Sequence, residues 1–191
     1  MKVFNQIVLI TAVNARNARQ LEASGVEKLV QHFTSIDIEK LQDYGCAGRG
    51  YFDSTEPAVG LPVDEIDRSF IWWKKCIKCA QSEYSAYDLE YNHFDYREFY
   101  EFDFDSEICG GSETVEHAIC QCDKSFAKRL IDLTENNDFH NYDTDSCVRF
   151  TPSDIPTDCC FDEQNGAYEI FNTELKCCEN AEVKDLGTCE A

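Results

Sequence analysis

The sequence predicts a disulfide-rich, mainly α protein with two long helices, a small β-hairpin and a cysteine-rich C-terminal extension. Three observations carry that expectation. The 191 residues include twelve cysteines, an even number spread along the chain, which reads as a disulfide framework from an oxidising compartment. Residues 64–80 and 112–133 repeat apolar side chains at helical spacing. Between them aromatic and acidic residues alternate with a period of two, the pattern of a half-buried strand.

At the N-terminus, Lys2 precedes an apolar stretch from Val3 to Val13, interrupted by Asn5 and Gln6 and followed by Asn14-Ala15. This is the pattern of a short signal peptide over residues 1–15, cleaved near Ala15; the alternative is a genuine first helix or strand. No other segment has the roughly 18 uninterrupted apolar residues of a spanning helix. The expected product is secreted and extracellular, with one domain over residues 16–146 and an extension over 147–191.

Residues 26–41 begin with helical spacing at Val26, Leu29, Val30 and Phe33, which predicts a short amphipathic helix. Residues 43–62 are rich in Gly, Ser and Pro and read as loop. In residues 64–80, Ile66, Phe70, Trp73 and Ile77 recur at steps of four, three and four and share one helix face. Residues 84–107 alternate most strictly at Tyr100-Glu101-Phe102-Asp103-Phe104-Asp105, predicting a strand or hairpin with a packed aromatic face and a wet acidic one. Ile119, Cys122, Phe126, Leu130 and Leu133 line the second long helix, with Ser112 placed to cap it. From Asn136 the pattern turns irregular, so the tail reads as a loop-rich segment held by cysteines.

The formal charge is −20, with 37 acidic residues against 17 basic. Nucleic acid and anionic membranes would repel such a chain, whereas cations, basic partners or a mineral surface would attract it. Acidity that serves only solubility is the plainer alternative. His32, His93, His117 and His140 lie in no nucleophile motif, and Cys76-Ile77-Lys78-Cys79 suits two separate disulfides better than a redox or zinc centre.

Three motifs stand in a suggestive order: Asp43-Tyr44-Gly45-Cys46 with Gly48-Arg49-Gly50; Pro62-Val63-Asp64 with Asp67; and Cys120-Gln121-Cys122-Asp123 after Cys109-Gly110-Gly111. Together, over residues 29–141, they resemble the secreted phospholipase A2 family, in which two antiparallel disulfide-linked helices present a His-Asp dyad beside a glycine-rich calcium loop. The resemblance makes Tyr44, Gly45, Gly48 and Gly50 the remnant of that loop. It implies a histidine as general base on water, a distant aspartate orienting it, and a second aspartate holding calcium that polarises the ester.

Anchored on Asp67 and Cys76, the histidine position holds Trp73 and the calcium-aspartate position holds Lys74. Indole accepts no proton at neutral pH, and an ammonium repels a divalent cation. Asp123 matches the orienting aspartate and is left either to pair with Lys74 or to cap a buried hydrogen bond. The family's second loop cysteine is absent, its adjacent helical pair is replaced by Ser69 and Phe70, and another helical cysteine is Arg129 here. In the family these four form two bridges, so each is lost as a complete pair. The resemblance further implies Cys76–Cys122 and Cys109–Cys120; Cys46 is expected to reach the tail, with Cys147 one candidate partner, and the connectivity of the other cysteines stays open.

The resemblance implies an inactive homologue, and the charge suggests an acidic binding or matrix protein for calcium or calcified material. Glu101, Asp103 and Asp105, about 7 Å apart along one strand face, are candidates for weak, multivalent calcium binding, as are Asp53 and Glu56 in the enlarged loop over residues 51–61; a solvated acidic surface explains both equally simply. The alternatives are a calcium-dependent phospholipase A2 with a rebuilt site, using His117 or His93 as base, and a venom or secretory protein that binds an extracellular protein through its aromatic surface.

Overall fold

The apolar residues Val26, Leu29 and Val30 bury one side of the first helix, α1 (Gly25–Phe33), and the computed structural model ends it where the sequence turns β-branched and polar. Thr34 donates its hydroxyl to Val30 O at 2.8 Å and accepts from Ile36 N, so its side chain competes with the helix ladder. Asp37 then caps a 3₁₀ turn, Ile38–Leu41. The structure describes residues 25–50, 52–85, 100–112, 114–133, 139–149, 156–162 and 166–189. The expected leader, residues 1–15, lies outside the described residues, as do residues 86–99 of the aromatic–acidic segment.

Helices α2 (Glu65–Ser85) and α3 (Val115–Arg129) form the centre. They run antiparallel: Phe70 packs on Phe126 at 5.0 Å, Trp73 reaches Asp123, and Cys76 is bonded to Cys122, so one helix descends as the other climbs. The cap of α3 is Thr114, which accepts from His117 N, and not Ser112. Ser112 stands two residues too early for its oxygen to reach the first free amides. A short 3₁₀ turn, Ile131–Leu133, continues the axis.

Among its described residues from 100 onward, the alternating segment yields a two-residue strand, β1 (Phe102–Asp103), paired with β2 (Ile108–Cys109). The expected acidic ladder therefore does not form along Glu101, Asp103 and Asp105. Asp103 accepts from the amides of Asp105 and Ser106 and from the Ser106 hydroxyl, and this side-chain capping turns the chain before Asp105 can extend the strand.

The described residues are not mainly α. The tail, expected to be loop-rich, folds into two antiparallel hairpins, β3 (Thr157–Asp162) with β4 (Ala167–Asn172) and β5 (Lys176–Glu179) with β6 (Glu182–Asp185). The cysteine doublets explain this. Successive strand residues point to opposite faces, so Cys159 bonds Cys79 of α2 while Cys160 bonds Cys178 of β5; likewise Cys177 bonds Cys189 while Cys178 faces back. Ala167, Tyr168 and Phe171 of β4 are buried, and Ala167 and Tyr168 join the helical core. Six disulfides pair all twelve cysteines, including the implied Cys76–Cys122 and Cys109–Cys120, and Cys46 reaches the tail at its candidate partner Cys147.

Candidate functional site

Three residues that lie far apart in sequence meet between the helices. Trp73, on the inner face of α2, donates its indole Nε1–H to Asp123 Oδ1 at 2.6 Å. Tyr100, entering β1, donates its hydroxyl to Asp123 Oδ2 at 2.7 Å. Asp123 is 5 % exposed, and both its oxygens accept from neutral groups. Burial pushes its carboxyl up to about 7, and the bonds from Trp73 and Tyr100 only partly oppose that shift. The start of α1 closes the site from another side, since a Cβ added at Gly25 would collide with the Tyr100 hydroxyl.

Of the two partners open to Asp123, Lys74 and a buried hydrogen bond, the structure takes the second. Lys74 points the other way, into the glycine loop. Its Nζ donates to Glu56 O at 2.7 Å and to Arg49 O at 3.3 Å. Burial lowers its pKa to about 8; Asp53, Glu56 and Asp67 work against that fall.

The loop itself is built around Asp67. This fully buried carboxylate accepts from Cys46 N at 2.8 Å, Ala47 N at 2.7 Å and Val63 N at 3.0 Å. Gly45 is at φ +57°, and a Cβ there would collide with the Asp67 carboxylate, so the tight approach requires glycine. Tyr44 donates its hydroxyl to Asp64 at 2.7 Å, which together with burial holds its own proton on; Gly48 N returns to Tyr44 O, and Gly50 N donates to Asp43 Oδ1. Tyr44, Gly45, Gly48 and Gly50 thus belong to one turn folded over the Asp67 carboxylate. The Cys46–Cys147 bond and the Leu61 N to Val148 O hydrogen bond fasten it to the tail segment.

The enlarged loop contributes a residue that sequence reasoning left outside. Phe52, at φ +59° and 3 % exposed, packs its ring 6.3 Å from Trp73, 5.8 Å from Phe70 and 6.2 Å from Phe126. Residues Phe70 and Ser69 fill the implied cysteine positions with an aromatic core contact and a hydroxyl bonded to Glu65 O. Arg129 lies 4.1 Å over the Trp72 ring.

The loop already holds a cation of its own, the Lys74 ammonium. The carbonyls of Arg49 and Glu56 already hold the Lys74 ammonium, and a divalent cation needs 6–8 oxygen ligands without a fixed positive charge among them. Asp53 Oδ1 is taken by the amide and hydroxyl of Thr55. Among the described residues no group of three or more His, Cys, Asp or Glu side chains is placed to hold a metal ion. His117 is held through its ring nitrogens by Gly110 O and the Gln121 amide, outside the Asp123 cluster; His93 lies outside the described residues.

Tyr100 was not legible as a site residue. Its only sequence signal is its place at the head of the alternating run, and 23 residues separate it from Asp123. No family model matches the chain, and no curated protein matches it in sequence.

Proposed function

We propose that this chain is a secreted, non-enzymatic protein on a phospholipase A2-like pair of helices, and that it serves as an acidic binding or matrix protein for calcium or calcified material. One arrangement supports the non-enzymatic part. Where a hydrolase on this scaffold would need a base facing water, Asp123 is engaged by Trp73 and Tyr100 beneath Phe52. A base must reach both water and substrate, and neither the indole nor the bonded tyrosine accepts a proton at neutral pH. The Lys74 ammonium adds a fixed positive charge in the loop that would otherwise take the cation.

Six disulfides suit an oxidising, extracellular setting. Among the described residues no helix is long and apolar enough to cross a membrane. A charge of −20 favours cations at the surface over any single built site, so calcium uptake would be weak and multivalent, roughly 0.1 to 1 mM per site. Isothermal calorimetry with calcium tests this. Shallow, salt-sensitive uptake at millimolar calcium is the expected result. No uptake at about 10 mM calcium, well above that range, rejects the calcium-binding role.

A further inference from the structure

We propose that the tip of the β1–β2 hairpin is a docking surface for a basic, amphipathic segment of another protein. Phe104 and Ile108 flank the turn and are 40 % and 59 % exposed. Ile108 is the cross-strand partner of Asp103, and Asp103 and Asp105 are both exposed at the tip. Apolar side chains ringed by carboxylates complement a segment that pairs apolar residues with lysine or arginine.

The tip is also held ready. Asp103 caps the turn from inside, and the Cys109–Cys120 disulfide fixes its base to α3. Lys124 Nζ donates to Glu107 O at 2.6 Å, and Lys128 Nζ to Glu107 Oε2 at 3.1 Å. These bonds hold Glu107 at φ +54°, a conformation that costs energy for a residue with a side chain. The Phe104 ring rests edge-on against Phe102 and His32. Both neighbouring lysines are thus bonded to Glu107, while Asp103 and Asp105 stay exposed. A preformed tip loses little freedom on binding. The net charge of −20 draws a cationic partner and repels an acidic one or an anionic lipid. This surface is separate from the buried Asp123 cluster and does not depend on calcium.

The test uses the whole chain and a labelled amphipathic peptide of lysine and leucine, with lysine–serine and glutamate–leucine peptides as controls. Fluorescence anisotropy at near-physiological salt should show binding of the lysine–leucine peptide alone. Phe104→Ser with Ile108→Ser should weaken it roughly tenfold or more, the scale of losing a central apolar anchor. Ile108→Ser alone removes a solvent-facing side chain and should still weaken it several-fold, which guards against a misfolded double variant. Asp105→Asn should weaken binding and lower its salt dependence slightly. Amide exchange should slow at residues 102–109. Equal binding by wild type and Ile108→Ser, or absence of binding, would each overturn the proposal.

Discussion

Replacing Asp123 by asparagine keeps the side chain's shape and removes its ionisation. The amide oxygen can still accept from Trp73, while the amide nitrogen faces Tyr100, whose hydroxyl oxygen accepts in turn. In the unfolded chain the Asp123 carboxyl has a pKa near 3.9, whereas burial holds it up to about 7 in the folded protein. Between those values the folded state keeps a proton that the unfolded state has released. Stability contributed by this group is therefore fully present below about pH 4 and is lost as pH rises through about 7. A shift of roughly three units at about 1.4 kcal/mol each gives a loss of about 4 kcal/mol. Asparagine cannot lose it. Urea unfolding of both proteins from about pH 4 to pH 8 should show the variant gaining on the wild type by several kcal/mol, with most of the change before pH 7. A difference that stays constant with pH, or shrinks as pH rises, would refute the buried, only partly compensated carboxylate.

Lys74→Met should cost about 1–3 kcal/mol in denaturant unfolding, because the Arg49 and Glu56 carbonyls lose their donor. Removing Cys76–Cys122, which spans 46 residues, should cost about 4 kcal/mol by loop entropy, against about 3 kcal/mol for the 11-residue Cys109–Cys120 loop. The same unfolding assay ranks the two. Phe126→Ala should cost about 3–5 kcal/mol, since its fully buried ring touches Phe52, Phe70 and Trp73. An effect under about 1 kcal/mol would mean that these rings do not form one packed cluster.

Much of the helical centre was legible because its signals are local. Ile66, Phe70, Trp73 and Ile77 mark the inner face of α2 by spacing alone, and all four are buried. That Trp73 and Lys74 stand where a base and a calcium ligand would be is an expectation from the motif resemblance alone, and what those side chains touch does not follow from it. Asp123 had two candidate partners in sequence, and only packing decides that the indole reaches it while Lys74 turns to the loop. Phe52 was hidden by a loop composition that signals exposure, although one aromatic in such a loop can be drawn into a core. The tail hairpins were hidden differently. Their alternation is interrupted by doublet cysteines, and the facing of Cys159 against Cys160 is a strand signal only once their partners are known. The period of two over residues 100–105 pointed to a longer strand, and a local side-chain bond from Asp103 cut it short.

The most direct test of the proposed non-enzymatic role is hydrolysis itself. Purified protein is incubated with dispersed glycerophospholipid and millimolar calcium, and released fatty acid is measured against a protein-free control. The expected result is no calcium-dependent release, for wild type and Asp123→Asn alike. Calcium-dependent release by the wild type that Asp123→Asn abolishes would contradict the reading of Trp73, Asp123 and Tyr100 as a closed, structural cluster.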